Sequence, residues 1–279
     1  MKIAVCVKWV PALARIRFDP ETRRIIREGV PHELNGYDKL AIQRAVELKN
    51  ERDGIEISVF TMGPPQAKQG LLQCLAWGAD YVFHISDRAF AGSDTLATAR
   101  ALSMALGKEH YDIVLFGAHS LDSETGQVGP EVAELMGLPQ ATSVRKLEIS
   151  DSSLTVLVER QLEGGVERVE CRMPCVLAVT EGVAIETFPP RDALMETRDA
   201  EVPEISALDL SSDLSNFGDA GSPTWVSEIR IVESNREQRI LSEMDPSEAA
   251  GEVVAYLKGR GLLKKDARKL HRDLMPAPN

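Results

Sequence analysis

A chain of 279 residues, 43% of them hydrophobic but only 5% aromatic, has enough Val, Leu, Ile and Ala to pack one substantial core and a smaller appendage. Its formal charge of −11 supplies no basic face of the kind that neutralises nucleic-acid phosphates. No stretch approaches the roughly 18–20 consecutive apolar residues that cross a bilayer, so an integral membrane protein is not expected.

The chain opens with a β-branched run at residues 3–7, read as a buried strand. Lys8 interrupts that run too early for a signal-peptide core, so a cytoplasmic location is expected. A polar stretch follows through Gly29, then Asn35-Gly36-Tyr37-Asp38 precedes a helical pattern. Residues 55–60 form a second strand ended by Thr61-Met62-Gly63, and a helix carries Leu71, Leu72 and Leu75. Residues 81–85 make a third strand, and Asp94 caps a helix with Leu96, Ala99, Leu102 and Leu106 on its inner side. Residues 113–116 are a fourth strand closed by Gly117, and a polar loop leads into a helix over 126–137. Strands alternating with helices at this spacing imply a Rossmann-like α/β fold, a mostly parallel sheet with helices on both faces.

The middle of the chain changes character. Runs at 144–149, 154–161 and 166–172 have no helices between them, and Asp151-Ser152-Ser153 and Gly164-Gly165 supply turns. This reads as an antiparallel hairpin addition, with residues 176–179 rejoining the main sheet. The core is assigned to residues 1–188. Beyond it, residues 189–279 are read as a docking segment and an extended C-terminal arm wrapping a partner, because Ile205, Leu208, Leu210, Leu214 and Phe217 recur through a polar stretch. A helix is expected at 249–257. The basic run Lys264, Lys265, Arg268, Lys269 and Arg272 suits a solvated end.

Cys6, Cys74, Cys171 and Cys175 form no C-x-x-C pair and no zinc-ligand pattern with the five histidines, so no metal is expected. Neither a G-x-G-x-x-G nor a Walker A loop occurs, and no nucleophile elbow or H-E-x-x-H helix points to a catalytic residue. The most informative segment is Leu121-Asp122-Ser123-Glu124-Thr125-Gly126-Gln127-Val128-Gly129-Pro130. Small residues at a helix mouth leave backbone N–H groups and the positive end of the helix dipole for a phosphate; an ordinary helix start capped by Asp122 or Ser123 fits the same residues. Nothing in the polypeptide carries an electron at modest potential, so redox work needs a bound cofactor.

In order along most of the chain, these segments resemble the beta subunit of electron-transfer flavoproteins. The resemblance is carried by Ile3-Ala4-Val5-Cys6-Val7-Lys8-Trp9-Val10, Asn35-Gly36-Tyr37-Asp38, Met62-Gly63-Pro64, Cys74-Leu75-Ala76-Trp77-Gly78-Ala79-Asp80, Asp94-Thr95-Leu96-Ala97-Thr98-Ala99, the 121–130 loop and Val158-Glu159-Arg160-Gln161-Leu162-Glu163-Gly164-Gly165.

The resemblance implies a heterodimer in which an alpha subunit holds the working FAD. This subunit then holds AMP, or a second FAD in electron-bifurcating members, and electrons pass from dehydrogenases, such as acyl-CoA dehydrogenases, to a quinone reductase or other acceptor. The implied nucleotide-binding residues are Cys6, Asn35, Gly36, Tyr37, Asp38, Met62, Asp122, Ser123, Glu124, Thr125, Gly126, Gln127, Val128, Gly129 and Pro130. A dehydrogenase-docking anchor falls on Phe188, or on Leu194. One departure is Ala118, where the family commonly has Arg or Lys. The alternatives are an FAD-holding subunit of a bifurcating complex and, in another class, an adenine-nucleotide-binding regulatory module.

Overall fold

The computed structural model describes residues 1–12, 17–19, 24–26, 30–150, 154–227, 240–242 and 244–263. The basic run from Lys264 to Arg272 and the Asp151-Ser152-Ser153 turn lie outside the described residues. Two compact units are distinguished, Met1–Arg230 and Ile231–Asn279.

In the first unit, β1 (Lys2–Cys6) is followed by the short strands β2 (Trp9–Pro11), β3 (Arg17–Asp19), β4 (Arg24–Ile26) and β5 (His32–Leu34). β2 pairs with β5 and β3 with β4, both antiparallel. These four were not expected in so polar a stretch, because three-residue strands carry too few positions to show a period of two. Helix α1 (Gly36–Glu51) and β6 (Glu56–Met62) come next, then α2 (Lys68–Trp77), β7 (Tyr81–Ile85), α3 (Thr95–Leu106), β8 (Ile113–Gly117) and α4 (Val128–Met136). The chain continues through β9 (Gln140–Ile149), β10 (Thr155–Leu162), β11 (Gly165–Arg172) and β12 (Cys175–Val179). Beyond it lie α5 (Arg191–Glu196), β13 (Glu204–Ile205), α6 (Ala207–Leu210) and α7 (Gly218–Gly221).

Nine strands form one sheet in the order β11-β10-β9-β12-β8-β1-β6-β7-β13. All neighbours from β9 to β13 run parallel, while β10 is antiparallel to both β9 and β11. The parallel strands alternate their side chains between two cores, as the period of two demands. Ile3 and Val5 of β1 join Ala41 and Ile42 of α1 and Leu71 of α2 on one face. Ala4 and Cys6 join Ala99 and Leu102 of α3 and Val132 of α4 on the other. This is the expected α/β arrangement, with the antiparallel strands added at one edge.

From β1 the chain adds β6 and β7 on one side, then returns to place β8 on the other. The strand order therefore reverses between β1 and β8, and the loops leaving these two strands diverge and open a crevice at their carboxyl ends.

Parts of residues 189–227, read from sequence as part of an arm beyond the core, pack against it. β13 extends the sheet beside β7. Val202, Ala207 and Phe217 are buried, and the Phe217 ring meets Phe90 edge-on at 5.1 Å between centroids. In the second unit, α8 (Pro246–Gly259) is capped by Asp245, whose carboxylate accepts the Ser247 N–H at 2.9 Å, and it buries none of its residues.

Replacing Phe217 by Ala is expected to cost about 3–5 kcal/mol of unfolding free energy, as truncating a buried aromatic does. Leu208→Ala, at a side chain 70% exposed, should cost under about 0.5 kcal/mol. Urea unfolding of the two variants separates a seated segment from a loose one.

Candidate functional site

The crevice between β1 and β8 is held by one short segment, Asn35 to Asp38, at the start of α1. Asp38 is buried, and its carboxylate accepts the Lys8 N–H at 2.7 Å and the Gly117 N–H at 3.1 Å. One side chain therefore ties together the ends of the two strands between which the sheet order reverses. Gly117 must be glycine for this approach, since a methyl group there would run into the Asp38 carboxylate and Tyr37 Cβ. Asn35 completes the join. Its N–H donates to the Lys8 carbonyl at 2.9 Å, its side-chain amide donates to the His119 carbonyl at 3.0 Å, and its side-chain oxygen accepts the Leu121 N–H at 3.1 Å.

Burial pushes the Asp38 carboxyl up to about 7, against the opposing hydrogen bonds from Asn35, Lys8 and Gly117 and the nearby Lys8 charge. Burial, aided by the charge of Asp38, likewise raises the Cys6 thiol well above its ordinary range. Tyr37 is raised to about 12, first through the hydrogen bond that its hydroxyl donates to Glu181 at 2.7 Å.

A cavity of about 560 Å³ opens at this junction, within the roughly 300–1,000 Å³ typical of small-molecule sites. Of the residues expected around a nucleotide, Cys6, Asn35, Asp38 and Met62 line it. So do Ser123, Thr125, Gly126, Gln127, Val128 and Gly129. Gly36, Tyr37, Asp122, Glu124 and Pro130 do not line it. The Tyr37 ring meets that of His119, which does line it, at a tilt of 52° with centroids 4.3 Å apart, and Asp122 is turned to Lys8.

The helix expected from Gly126 starts two residues later. Gly126 has a left-handed φ of +63° and Glu124 one of +53°, which fold residues 121–127 into a looped entry. Neither Asp122 nor Ser123 caps the helix; Gln127 holds the cap position without a side-chain hydrogen bond. The N–H groups of Val128 and Gly129 belong to a first turn without intrahelical acceptors, and Pro130 has no N–H to offer. Gly129 also lets α4 sit against Phe116, whose ring would lie 3.3 Å from an added Cβ.

The opposite wall comes from residues that sequence reasoning did not place at the site: Phe90, Ser93, Thr95, Thr98 and Leu102, with Thr224 and Val226 of the C-terminal segment. Asp94 joins these pieces. Its carboxylate caps α3 through the Ala97 N–H at 3.0 Å and also accepts the Thr224 N–H at 3.1 Å and hydroxyl at 2.8 Å. The Asp94 cap was legible as a helix start; nothing in the sequence signals that Thr224 returns to it. Behind Thr95 lies Glu131, whose Oε1 accepts the Thr95 hydroxyl at 3.0 Å while its buried Oε2 has no protein partner.

The cavity thus combines apolar walls, hydroxyls and first-turn N–H groups, a set that fits an adenylate. No groups of three or more His, Cys, Asp or Glu placed to hold a metal occur among the described residues. No helix there is long and apolar enough to cross a membrane.

The folded chain keeps a proton on Asp38 between about pH 4 and 7, where an unfolded chain has lost it, so this group's contribution to stability declines as pH rises through that window. The difference in unfolding free energy between the wild type and Asp38→Asn is expected to fall from pH 5 to pH 8. A pH-independent difference in urea titrations would contradict the raised carboxyl.

Comparison with known proteins places this geometry in a family. The family described as "Electron transfer flavoprotein domain" matches residues 22–210. The electron transfer flavoprotein subunit beta of Clostridium acetobutylicum is 39% identical over 92% of this chain and 98% of its own length. Protein FixA of Azorhizobium caulinodans is 39% identical over 98% of this chain and 99% of its own. The caffeyl-CoA reductase-Etf complex subunit CarD of Acetobacterium woodii is 34% identical over 94% of this chain and all of its own length. With matches of this length to named beta subunits, the chain belongs to the electron transfer flavoprotein family as a relative of its beta subunits.

Proposed function

We propose that this subunit holds an adenine nucleotide, AMP or the adenylate part of FAD, in the cavity between β1 and β8. It pairs with an alpha subunit that carries the working FAD, and the pair passes electrons from dehydrogenases, such as acyl-CoA dehydrogenases, to a quinone reductase or another acceptor. The observation that carries this reading is the cavity of about 560 Å³ at the point where strand order reverses, walled by Gly126, Gln127, Val128 and Gly129 on one side and the start of α3 on the other.

In this arrangement the chain's own residues bind and orient. Thr125, Ser123 and the first-turn N–H groups of α4 suit phosphate oxygens, while Met62, Phe90 and Leu102 offer apolar surface to a base. When bound, the flavin supplies the electron chemistry. The relative from Acetobacterium woodii, named as part of a reductase-Etf complex, favours a second reading in which this chain holds its own FAD in a bifurcating assembly.

Exposed apolar side chains support the partners. Phe188 is 87% exposed beside α5, and Leu194 is 37% exposed within it. Such an apolar anchor on a short surface segment suits a transient dehydrogenase contact. On α8, Val253, Val254 and Tyr256 are exposed and suit burial against the alpha subunit.

Denaturing the complex co-purified with its alpha subunit and quantifying nucleotides tests the reading. One AMP and one FAD per heterodimer are expected for the simple carrier, two FAD for the bifurcating form. A properly assembled complex without flavin contradicts both. Phe188→Ala is expected to slow electron transfer from a dehydrogenase about 10-fold or more, the loss of a central anchor, with cofactor content unchanged. Leu194→Ala should act the same way if Leu194 is the anchor, and reduction kinetics of the two variants decide between them.

A further inference from the structure

We propose that Lys8 is the cationic partner of the nucleotide's phosphate, an inference that rests on the nucleotide reading above. Among the described residues lining the cavity, Lys8 is the only lysine or arginine. The carboxylates that line it, Asp38 and Asp94, are both engaged with backbone N–H groups. Asp94, held below its ordinary value, adds negative charge near any phosphate that enters, while burial holds a proton on Asp38 up to about pH 7. Ala118, which also lines the cavity, contributes no charge to offset it. A doubly charged phosphate held there by N–H groups and hydroxyls alone would lack a counter-charge, and Lys8 is placed to supply it.

The backbone of Lys8 is fixed on both sides. Its N–H donates to Asp38 at 2.7 Å, and its carbonyl accepts the Asn35 N–H at 2.9 Å. Its ammonium donates to Asp122 Oδ1 at 2.8 Å and to Ser120 Oγ at 3.3 Å. Both partners belong to the loop that runs from β8 into Gly126 and α4, so the charge is held against the segment whose N–H groups face a phosphate. An ammonium has three N–H donors, and these two contacts leave one for a ligand oxygen. Asp122 lies outside the cavity wall and acts as the positioning residue. Burial works to raise its carboxyl, but the hydrogen bond and charge of Lys8, with Ser120, hold it below its ordinary value. The Lys8 side chain is 44% exposed, so water screens the charge until a ligand displaces it.

The complex, depleted of nucleotide, is to be titrated calorimetrically with AMP and with adenosine, which lacks the phosphate. The wild type should prefer AMP. Lys8→Gln should weaken AMP binding about 10-fold or more while leaving adenosine within about 2-fold, as expected for loss of a charge-assisted contact. Lys8→Arg should retain most of the preference. Equal weakening of AMP and adenosine binding by Lys8→Gln, or unchanged AMP binding, overturns the assignment. Failure of the wild type to bind either AMP or adenosine sinks the nucleotide reading itself, whatever Lys8 does.

Discussion

The carboxylate of Asp38 reaches the ends of two strands at once. Lys8 N–H and Gly117 N–H both donate to it, and these are the strand ends between which the order of the parallel sheet reverses. Backbone donors at diverging strand ends have no neighbouring strand to pair with, and leaving them buried and unsatisfied would cost about 1–3 kcal/mol each. A buried carboxylate satisfies two of them with one side chain and keeps the crevice open. Its own cost is desolvation, visible in a carboxyl raised to about 7. The cavity, the loop pinned by Asn35 and the placement of Lys8 all follow from that join.

Two aspartates do comparable work on opposite walls. Asp38 joins β1 to β8, and Asp94 joins the start of α3 to Thr224. The second join draws a C-terminal segment into the wall of the cavity, which Thr224 and Val226 line. The segment's path past Phe217, buried against Phe90, fixes where Thr224 arrives.

The parallel core was legible because its strands, β1 and β8 above all, are short runs buried on both faces and punctuated by amphipathic helices. The hairpin of β10 and β11 was legible from its turn residues. β2 to β5 and β13 were not, since strands of two or three residues exist only through the partner that the fold brings to them. The same division holds at the site. Cys6, Asn35, Asp38, Met62 and the residues from Ser123 to Gly129 other than Glu124 stand at strand ends or helix mouths, where topology alone directs attention. Tyr37 and Asp122 share those segments but turn to Glu181 and Lys8, a choice made by side-chain contacts that no local pattern encodes. Thr224 meets the cavity wall through Asp94, 130 residues away in sequence, and no periodicity reports such a return.

A crystal structure of the assembled heterodimer tests the central claim most directly. The account predicts an adenylate lodged between the carboxyl ends of β1 and β8, with its phosphate within hydrogen-bond distance of the first N–H groups of α4. A nucleotide bound elsewhere on this chain, or a crevice filled by the chain's own side chains, would contradict it.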